Sequence, residues 1–322
     1  MTQEHTPRER ALMTLERETS PAIRLEAAGT LCELAFDATP EEQAFFVPDV
    51  VQLLSDKQDE VRCAGLALAS AVLPPGESKE IFVRHLADPI VRVRVEAAGR
   101  LADLELPEAR GALAAALQDK APGVRFEAAR GIAELQHAAG IDVLIAALDD
   151  GEFRYRAAGA LARLGDTAAI EPLKKTLNGW FVPQFDKTRI AGALAVLGDP
   201  EGVAHLEKRI EKKSALDRPM AVELLGELDS AAAKQKLVAI VNTPDDTARG
   251  TAARALGHHG GADVVALLTP LLSTGDNDDF KLDVAEGLLR AGARDVVEKL
   301  TLADADAQEE LVSRLADCGD SK

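Results

Sequence analysis

The stretch VRFEAARGIAEL at residues 124–135 is matched one period later by FRYRAAGALARL at residues 153–164. Both stretches contain a basic residue, an alanine pair three and four positions after it, and apolar residues seven and ten positions after it. We call the basic residue the anchor, and it recurs at Arg24, Arg62, Arg94, Arg125, Arg154, Lys187, Arg218, Arg249 and Lys281. The mean spacing of about 32 residues is typical of helical solenoid repeats, so internal repetition decides the fold.

Each period contains two segments with apolar residues every three or four positions, as one face of a helix requires. In the unit anchored by Arg125 these residues are Val124, Ala128, Ile132 and Leu135, then Ile141, Leu144, Ile145 and Leu148. Residues 136–140 and 149–151 supply the turn and cap residues. A single helix pair leaves an apolar face open, which the next pair covers. The pattern therefore predicts a linear stack of helix pairs.

This unit resembles the HEAT repeat, in the short, alanine-rich form common in bacteria and in proteins similar to phycobilin lyase subunits. The signature combines an Asp, a Val-Arg pair, an Ala pair and Leu-x-x-Leu followed by Gly-Asp, and its end appears here as Leu161, Leu164, Gly165, Asp166 and as Leu194, Leu197, Gly198, Asp199. The resemblance runs from about Arg24 to Gly292. It implies an all-α, right-handed α-solenoid of about nine helix pairs with a concave groove. It leaves function open, because the family includes adaptors, scaffolds, regulators and a few enzymes.

The domain prediction is one solenoid over residues 1–322. Residues 1–19 are expected to form an N-terminal cap helix, and residues 300–322 a polar C-terminal cap with a frayed tail. The longer spacing between the first two anchors predicts an insertion around residues 36–48.

Composition argues against several partners and sites. The chain has 37 Lys and Arg against 54 Asp and Glu, a net charge of −17, so neither nucleic acid nor an anionic membrane surface is an expected partner. It has no apolar stretch behind a basic start and no run of about 18 apolar residues, so we expect a cytoplasmic protein. Its three cysteines, Cys32, Cys63 and Cys318, form no Cys-x-x-Cys pair and are expected to be reduced.

Catalytic and metal-binding patterns are scarce. No two of the six histidines have the spacing of a metal site, and no Gly-x-Ser-x-Gly motif occurs. His258 and His259 lie in a glycine-rich turn, which we interpret as a polar loop rather than a ligand pair. The sequence therefore predicts no catalytic residue, no cofactor and no metal.

The anchors themselves have two possible roles. Aspartates stand six positions before three of them, at Asp56, Asp88 and Asp119. The anchors could form a basic binding stripe, or a ladder in which each guanidinium bonds a carboxylate or turn carbonyl and joins adjacent repeats. Repetition in every unit favours the ladder.

Aromatic residues, in contrast, are unevenly distributed. Six of the eleven lie between residues 126 and 185, namely Phe126, Phe153, Tyr155, Trp180, Phe181 and Phe185, interleaved with Arg130, Arg156, Arg163 and Arg189. Aromatic residues and arginine together are typical of interface anchors. The alternative is that these rings fill an irregular junction between repeats. We favour binding, since a plug has no need of four arginines.

The resemblance also implies which positions face the groove. It places Phe126, Arg130, Tyr155, Arg156, Arg163, Phe185 and Arg189 there, with Trp180 and Phe181 near the rim and Phe153 in the core. The same positions of other units are acidic, at Glu26, Glu33, Glu60, Glu96, Asp103, Glu223, Glu227, Asp283 and Glu286.

The predicted function is a non-enzymatic cytosolic scaffold or adaptor that binds a protein or peptide in its groove. The predicted partner-binding residues are Phe126, Arg130, Tyr155, Arg156, Arg163, Trp180, Phe181, Phe185 and Arg189. The resemblance keeps two alternatives open, a chromophore-lyase-like subunit of the phycobilin lyase type or a chaperone. A third, a DNA glycosylase built on HEAT-like repeats, would need a basic groove, and the net charge argues against it.

Overall fold

The computed structural model of the protein describes residues 5–274 and 277–317, and over these ranges the chain forms helices and no strands. It divides into two compact units, Met1–Phe153 and Arg154–Lys322. Within its described residues the first unit has ten helices: α1 Pro7–Arg17, α2 Pro21–Phe36, α3 Pro40–Gln43, α4 Val47–Leu54, α5 Asp59–Val72, α6 Pro75–His85, α7 Val91–Asp103, α8 Arg110–Ala116, α9 Pro122–Glu134 and α10 Ile141–Ala147. The described part of the second has eleven: α11 Arg154–Leu164, α12 Ile170–Leu177, α13 Gln184–Val196, α14 Pro200–Glu211, α15 Arg218–Gly226, α16 Ala231–Val241, α17 Arg249–Leu256, α18 Ala262–Leu268, α19 Asp278–Arg290, α20 Arg294–Val297 and α21 Ala305–Asp317.

The nine anchors fall one each on α2, α5, α7, α9, α11, α13, α15, α17 and α19, which we call the anchor helices. Within each unit, consecutive anchor helices pack side by side, and the second helix of a repeat packs against the next anchor helix, as α8 does against α9 and α14 against α15. The predicted all-α HEAT-type solenoid of about nine helix pairs is therefore confirmed.

Two flanking helices pack against these repeats. Helix α1 contacts α2, and α21 contacts α19. Residues 1–4 and 318–322, which include Cys318, lie outside the described residues, so the frayed tail stays a prediction.

The Gly-Asp signature explains where helices end and begin. Gly165 and Gly198 follow α11 and α13 with φ of 70° and 83°, a left-handed conformation that glycine adopts without a steric penalty. The aspartate after each glycine caps the start of the next helical segment. The side chain of Asp166 accepts a hydrogen bond from the backbone N–H of Ala168, and that of Asp199 accepts one from Glu201, each at 2.9 Å.

Small side chains let the anchor helices approach one another closely. Ala128 and Ala129 are fully buried, and a Cβ placed on Gly131 would lie 2.6 Å from the Cβ of Ala102 on α7. Contacts this short leave no room for larger side chains, which is why alanine and glycine stand where these helices touch.

The anchors form the predicted ladder. Arg62 donates from Nε and Nη2 to the carboxylate of Asp88, both at 2.9 Å, and from Nη1 to the backbone oxygen of Asp56 at 2.9 Å. Arg94 repeats this pattern with Asp119 at 2.8 and 3.1 Å and with the Asp88 backbone at 3.0 Å. Each aspartate thus receives the preceding anchor through its side chain and the following one through its backbone. The anchors are structural residues.

The ladder is also present in the second unit, with a different donor at the sixth anchor. Arg218 binds Asp246 at 2.7 and 2.8 Å, but Lys187 replaces arginine at the sixth anchor. There Asp217 accepts bonds from Arg209 of α14, with Nε at 2.9 Å, and from Thr188 Oγ1 at 2.5 Å. The carboxylate is retained, while the guanidinium comes from the second helix of the repeat.

The insertion predicted after the first anchor helix is present as α3 and a short 3-10 turn, Ala44–Phe46. Phe46 is buried and lies under the guanidinium of Arg8, 5.6 Å from the ring centroid, while Arg8 also binds Asp49 at 2.6 and 2.7 Å. Phe45, in contrast, is 67% exposed.

Candidate functional site

Two aromatic rings project from the turn between α12 and α13. Trp180 is 89% exposed and Phe181 is 93% exposed. The turn is held at both ends, because the side-chain amide of Asn178 donates to the Glu201 carboxylate at 2.8 Å and Pro183 caps the start of α13. Their exposure is the highest of any aromatic side chain among the described residues, while their predicted place near the groove rim stays a prediction.

A second aromatic group lies on two adjacent anchor helices of the same unit. Tyr155 of α11 is 41% exposed and Phe185 of α13 is 46% exposed. Arg189, one turn after Phe185, places its guanidinium carbon 5.7 Å from the centroid of the Tyr155 ring, a cation–π distance. The same guanidinium lies against Gly159, where an added Cβ would come within 2.6 Å of Nη2. Tyr155 and Arg189 therefore fix each other's position.

Two further arginines, Arg156 and Arg163, are exposed on α11. We call this part of the second unit the aromatic–arginine surface, and it consists of Tyr155, Arg156, Arg163, Trp180, Phe181, Phe185 and Arg189. Seven of the nine predicted partner-binding residues thus belong to one unit.

The prediction for Phe126 is wrong. Its side chain is only 1% exposed and stacks on Phe153, with ring centroids 4.6 Å apart and an interplanar angle of 27°. Phe153 comes from the turn after α10 and is only half-buried. The sequence predicted Phe126 in the groove and Phe153 in the core, whereas Phe126 is the more deeply buried of the two rings. The position of Phe126 relative to its anchor predicted that its side chain is exposed, but the ring of Phe153, 27 residues later in the chain, covers it.

Arg130 is not a surface anchor either. Its side chain is 11% exposed, and it donates to Glu127 at 2.9 Å, to Asp103 at 2.8 Å and to the backbone oxygen of Gly99 at 3.2 Å. Burial opposes its charge, but the two carboxylates outweigh burial and raise the pKa of Arg130. Its donors are committed within the first unit.

Several of the acidic groove positions are also neutralised within their own unit. In the second unit Glu223 accepts bonds from Arg290 at 2.7 Å and from Arg254 at 3.4 Å. His258 joins this cluster because Arg290 also donates to its Nε2 at 2.9 Å. Burial raises the pKa of Glu223, but the neighbouring His258 side chain, the bond from Arg290 and the charge of Arg254 outweigh burial and lower it to about 2. The acidic position at Glu223 is therefore already paired with arginines of its own unit.

The sequence reasoning missed one feature of the first unit, a cleft of about 730 Å³ beside α2. Its lining includes Cys32, Glu33, Phe36 and Arg100, and Phe36 is 81% exposed. Burial raises the pKa of the Cys32 thiol, which disfavours the nucleophilic thiolate. The long first spacing between anchors was the available signal for an unusual surface here.

Within residues 5–274 and 277–317, no three His, Cys, Asp or Glu side chains converge as ligands for a metal ion. Among the helices in these ranges, none combines the length and the apolar composition that a bilayer span requires.

Comparison with known proteins identifies the repeat. A family model described as HEAT repeats matches residues 80–152, 112–180 and 203–289, together more than half of the chain. No curated protein matches the sequence.

Three solved structures are similar in fold. An engineered protein is 22% identical, with 99% of this chain and 100% of that chain covered and a TM-score of 0.43. The complex of CpcE and CpcF of phycocyanin lyase from Nostoc sp. is 20% identical, with 74% and 94% covered and a TM-score of 0.45. Human deoxyhypusine hydroxylase in complex with glycerol is 22% identical, with 78% and 98% covered and a TM-score of 0.33.

Proposed function

Since this chain belongs to the HEAT-repeat family, we propose that it is a non-enzymatic scaffold or adaptor that binds a protein or peptide partner. The observation that supports this is the aromatic–arginine surface of the second unit. Trp180 and Phe181 are almost completely exposed, although the repeats need no aromatic residue there to pack.

The energetic argument rests on the area of these rings. Fully burying one large apolar side chain contributes about 1.5–3 kcal/mol, so covering Trp180 and Phe181 would contribute roughly 3–6 kcal/mol. Association costs on the order of 4–15 kcal/mol, so the two rings offset part of that cost. Tyr155 and Phe185 add apolar area, and the arginines select acidic groups. We therefore propose a partner segment that carries apolar and acidic side chains.

The test is a comparison of two variants of the full chain. Partners captured on the wild-type protein from the native cell are identified, and the purified partner's dissociation constant is measured. We expect the double substitution W180S/F181S to weaken binding by about thirtyfold or more, since hot-spot truncations cost roughly 2 kcal/mol or more. Leu216→Ser is the matched control, because Leu216 is 86% exposed in another turn of the same unit.

Equal affinity of wild type and W180S/F181S for every captured partner would contradict the proposed binding surface. Covalent transfer of an added bilin to a captured acceptor protein would contradict the non-enzymatic role.

A further inference from the structure

Arg189 differs from the other arginines on the anchor helices in its hydrogen bonds. Its Nε is buried, and none of the described residues accepts a hydrogen bond from it. The carboxylate that pairs with the guanidinium belongs to Glu227, and its oxygen lies 4.0 Å from Nη1, beyond hydrogen-bonding distance. Because Nε is enclosed, a partner can reach only the exposed remainder of the guanidinium, and there the paired carboxylate of Glu227 is too far away for a hydrogen bond.

Comparable arginines in the chain are well supplied with acceptors. Arg130 binds two carboxylates and a backbone oxygen. Arg290 binds Glu223 at 2.7 Å and Glu286 at 2.6 Å, and Arg314 binds Glu286 at 2.7 Å and Glu310 at 2.5 Å. A guanidinium that lacks close acceptors is therefore not a general property of these repeats.

The position of Arg189 is nevertheless fixed. The guanidinium lies between Gly159 of α11, which has no side chain to displace it, and the face of the Tyr155 ring. About a fifth of the side chain, 19%, is exposed to solvent. A planar cation held in place and partly desolvated binds a carboxylate more strongly than a mobile surface arginine does, because less side-chain entropy is lost and the local dielectric is lower.

We propose that the exposed edge of Arg189 binds the carboxylate of an Asp or Glu side chain in the partner, next to an apolar side chain that contacts Tyr155 and Phe185. This inference rests on the proposed function and specifies the partner's chemistry at that surface. A carboxylate with one negative charge suits the site better than a more highly charged phosphate. Glu227, 4.0 Å from Nη1, and the chain's net charge of −17 both repel anions, and they repel a phosphate more strongly.

The experiment uses peptides selected from a random phage-displayed library on the full wild-type chain. From these we choose the tightest peptide that competes with binding that the W180S/F181S substitution weakens. This peptide is labelled with fluorescein, and its affinity for each protein variant is measured by fluorescence anisotropy. We expect the selected sequences to contain Asp or Glu within two residues of an aromatic or leucine residue. Changing that acid to its amide should weaken binding at least tenfold on the wild type and less than twofold on Arg189→Gln.

A second variant keeps the test independent of the folding of Arg189→Gln. Gly159→Ala places a methyl group within 2.6 Å of Nη2, and the flexible end of the arginine can move aside. Because alanine favours the helical conformation over glycine, the melting temperature should stay the same or rise while the acid dependence is lost.

Three results would overturn the proposal. The first is that the selected peptides lack an acid. The second is that the acid-to-amide change weakens binding equally on the wild type, Arg189→Gln and Gly159→Ala, and the third is that binding becomes at least tenfold tighter when phosphoserine replaces the acid. Peptides that depend on Trp180 and Phe181 but not on Arg189 would leave the proposed function intact and refute the carboxylate site alone. Failure of any peptide to depend on either group would refute both.

Discussion

Replacing Arg218 by methionine tests whether the anchors are structural. Arg218 is 3% exposed and forms two hydrogen bonds with Asp246 at 2.7 and 2.8 Å. Its Nε also donates to the backbone oxygen of Ile210 at 2.7 Å. Methionine keeps most of the side-chain volume but removes all three bonds, so Asp246, which is 8% exposed, keeps its charge and is left only with Lys213, whose Nζ is 4.0 Å away.

Removing one partner of a buried ion pair costs about 3–5 kcal/mol, and we expect a loss of that size for Arg218→Met. The matched control is Arg294→Met. Arg294 pairs at 2.8 Å with Glu298, the residue that follows α20, but the two side chains are 43% and 53% exposed, so this change should cost about 0.3–0.5 kcal/mol.

Hydrogen exchange of peptides from α15–α17 measures the local opening free energy even if the repeats do not unfold in one step. Urea unfolding followed by far-UV circular dichroism gives the global value. A loss below about 1 kcal/mol for Arg218→Met by both methods would refute the structural ladder.

The pKa of Asp246 is lowered, first by the bond from Arg218, so the contribution of the pair is present above the ordinary aspartate pKa near 3.9 and is lost as the pH falls through the lower folded-state value.

Three further results are expected. Phe126→Ala should lower the free energy of unfolding by about 3–5 kcal/mol in urea titrations, and half-buried Phe153→Ala by less, because only the first ring is fully enclosed. The double substitution W180S/F181S should change it by less than about 0.5 kcal/mol, since both rings are already exposed. The lowered pKa of Glu223, about 2, means that its ion pairs stabilise the fold above its ordinary pKa and are lost only as the pH falls through about 2, so carboxyl resonances in NMR titrations should show Glu223 still ionised at pH 3.

Repetition explains why the fold could be predicted from the sequence. Arg62 and Arg94 make the same bonds to the following and preceding aspartates, so one pattern, read nine times, fixes the helices and their order. The surface is less predictable because it depends on contacts outside the repeat. Phe126 and Tyr155 occupy the same position relative to their anchors, yet one is buried by Phe153 and the other is 41% exposed.

Charge at the candidate site could not be predicted for a related reason. Arg130 and Arg189 both follow an anchor on the same kind of helix. Arg130 meets Glu127 and Asp103, whereas Arg189 meets a glycine and a tyrosine. Glu127 stands three residues before Arg130 on the same helix, so spacing encodes that contact. The contacts with Asp103, Gly159 and Tyr155 come from neighbouring helices, and spacing along the chain does not encode them.

Site-specific photo-crosslinking in the native cell tests the central claim, that the second unit's aromatic–arginine surface binds the partner. Benzoylphenylalanine replaces Phe181 or Phe185 in this surface, and Phe36, which is 81% exposed beside the cleft of the first unit, serves as the control position. We expect the same partner to be crosslinked from positions 181 and 185 and not from position 36. Crosslinking of that partner from position 36 alone would contradict the proposed site.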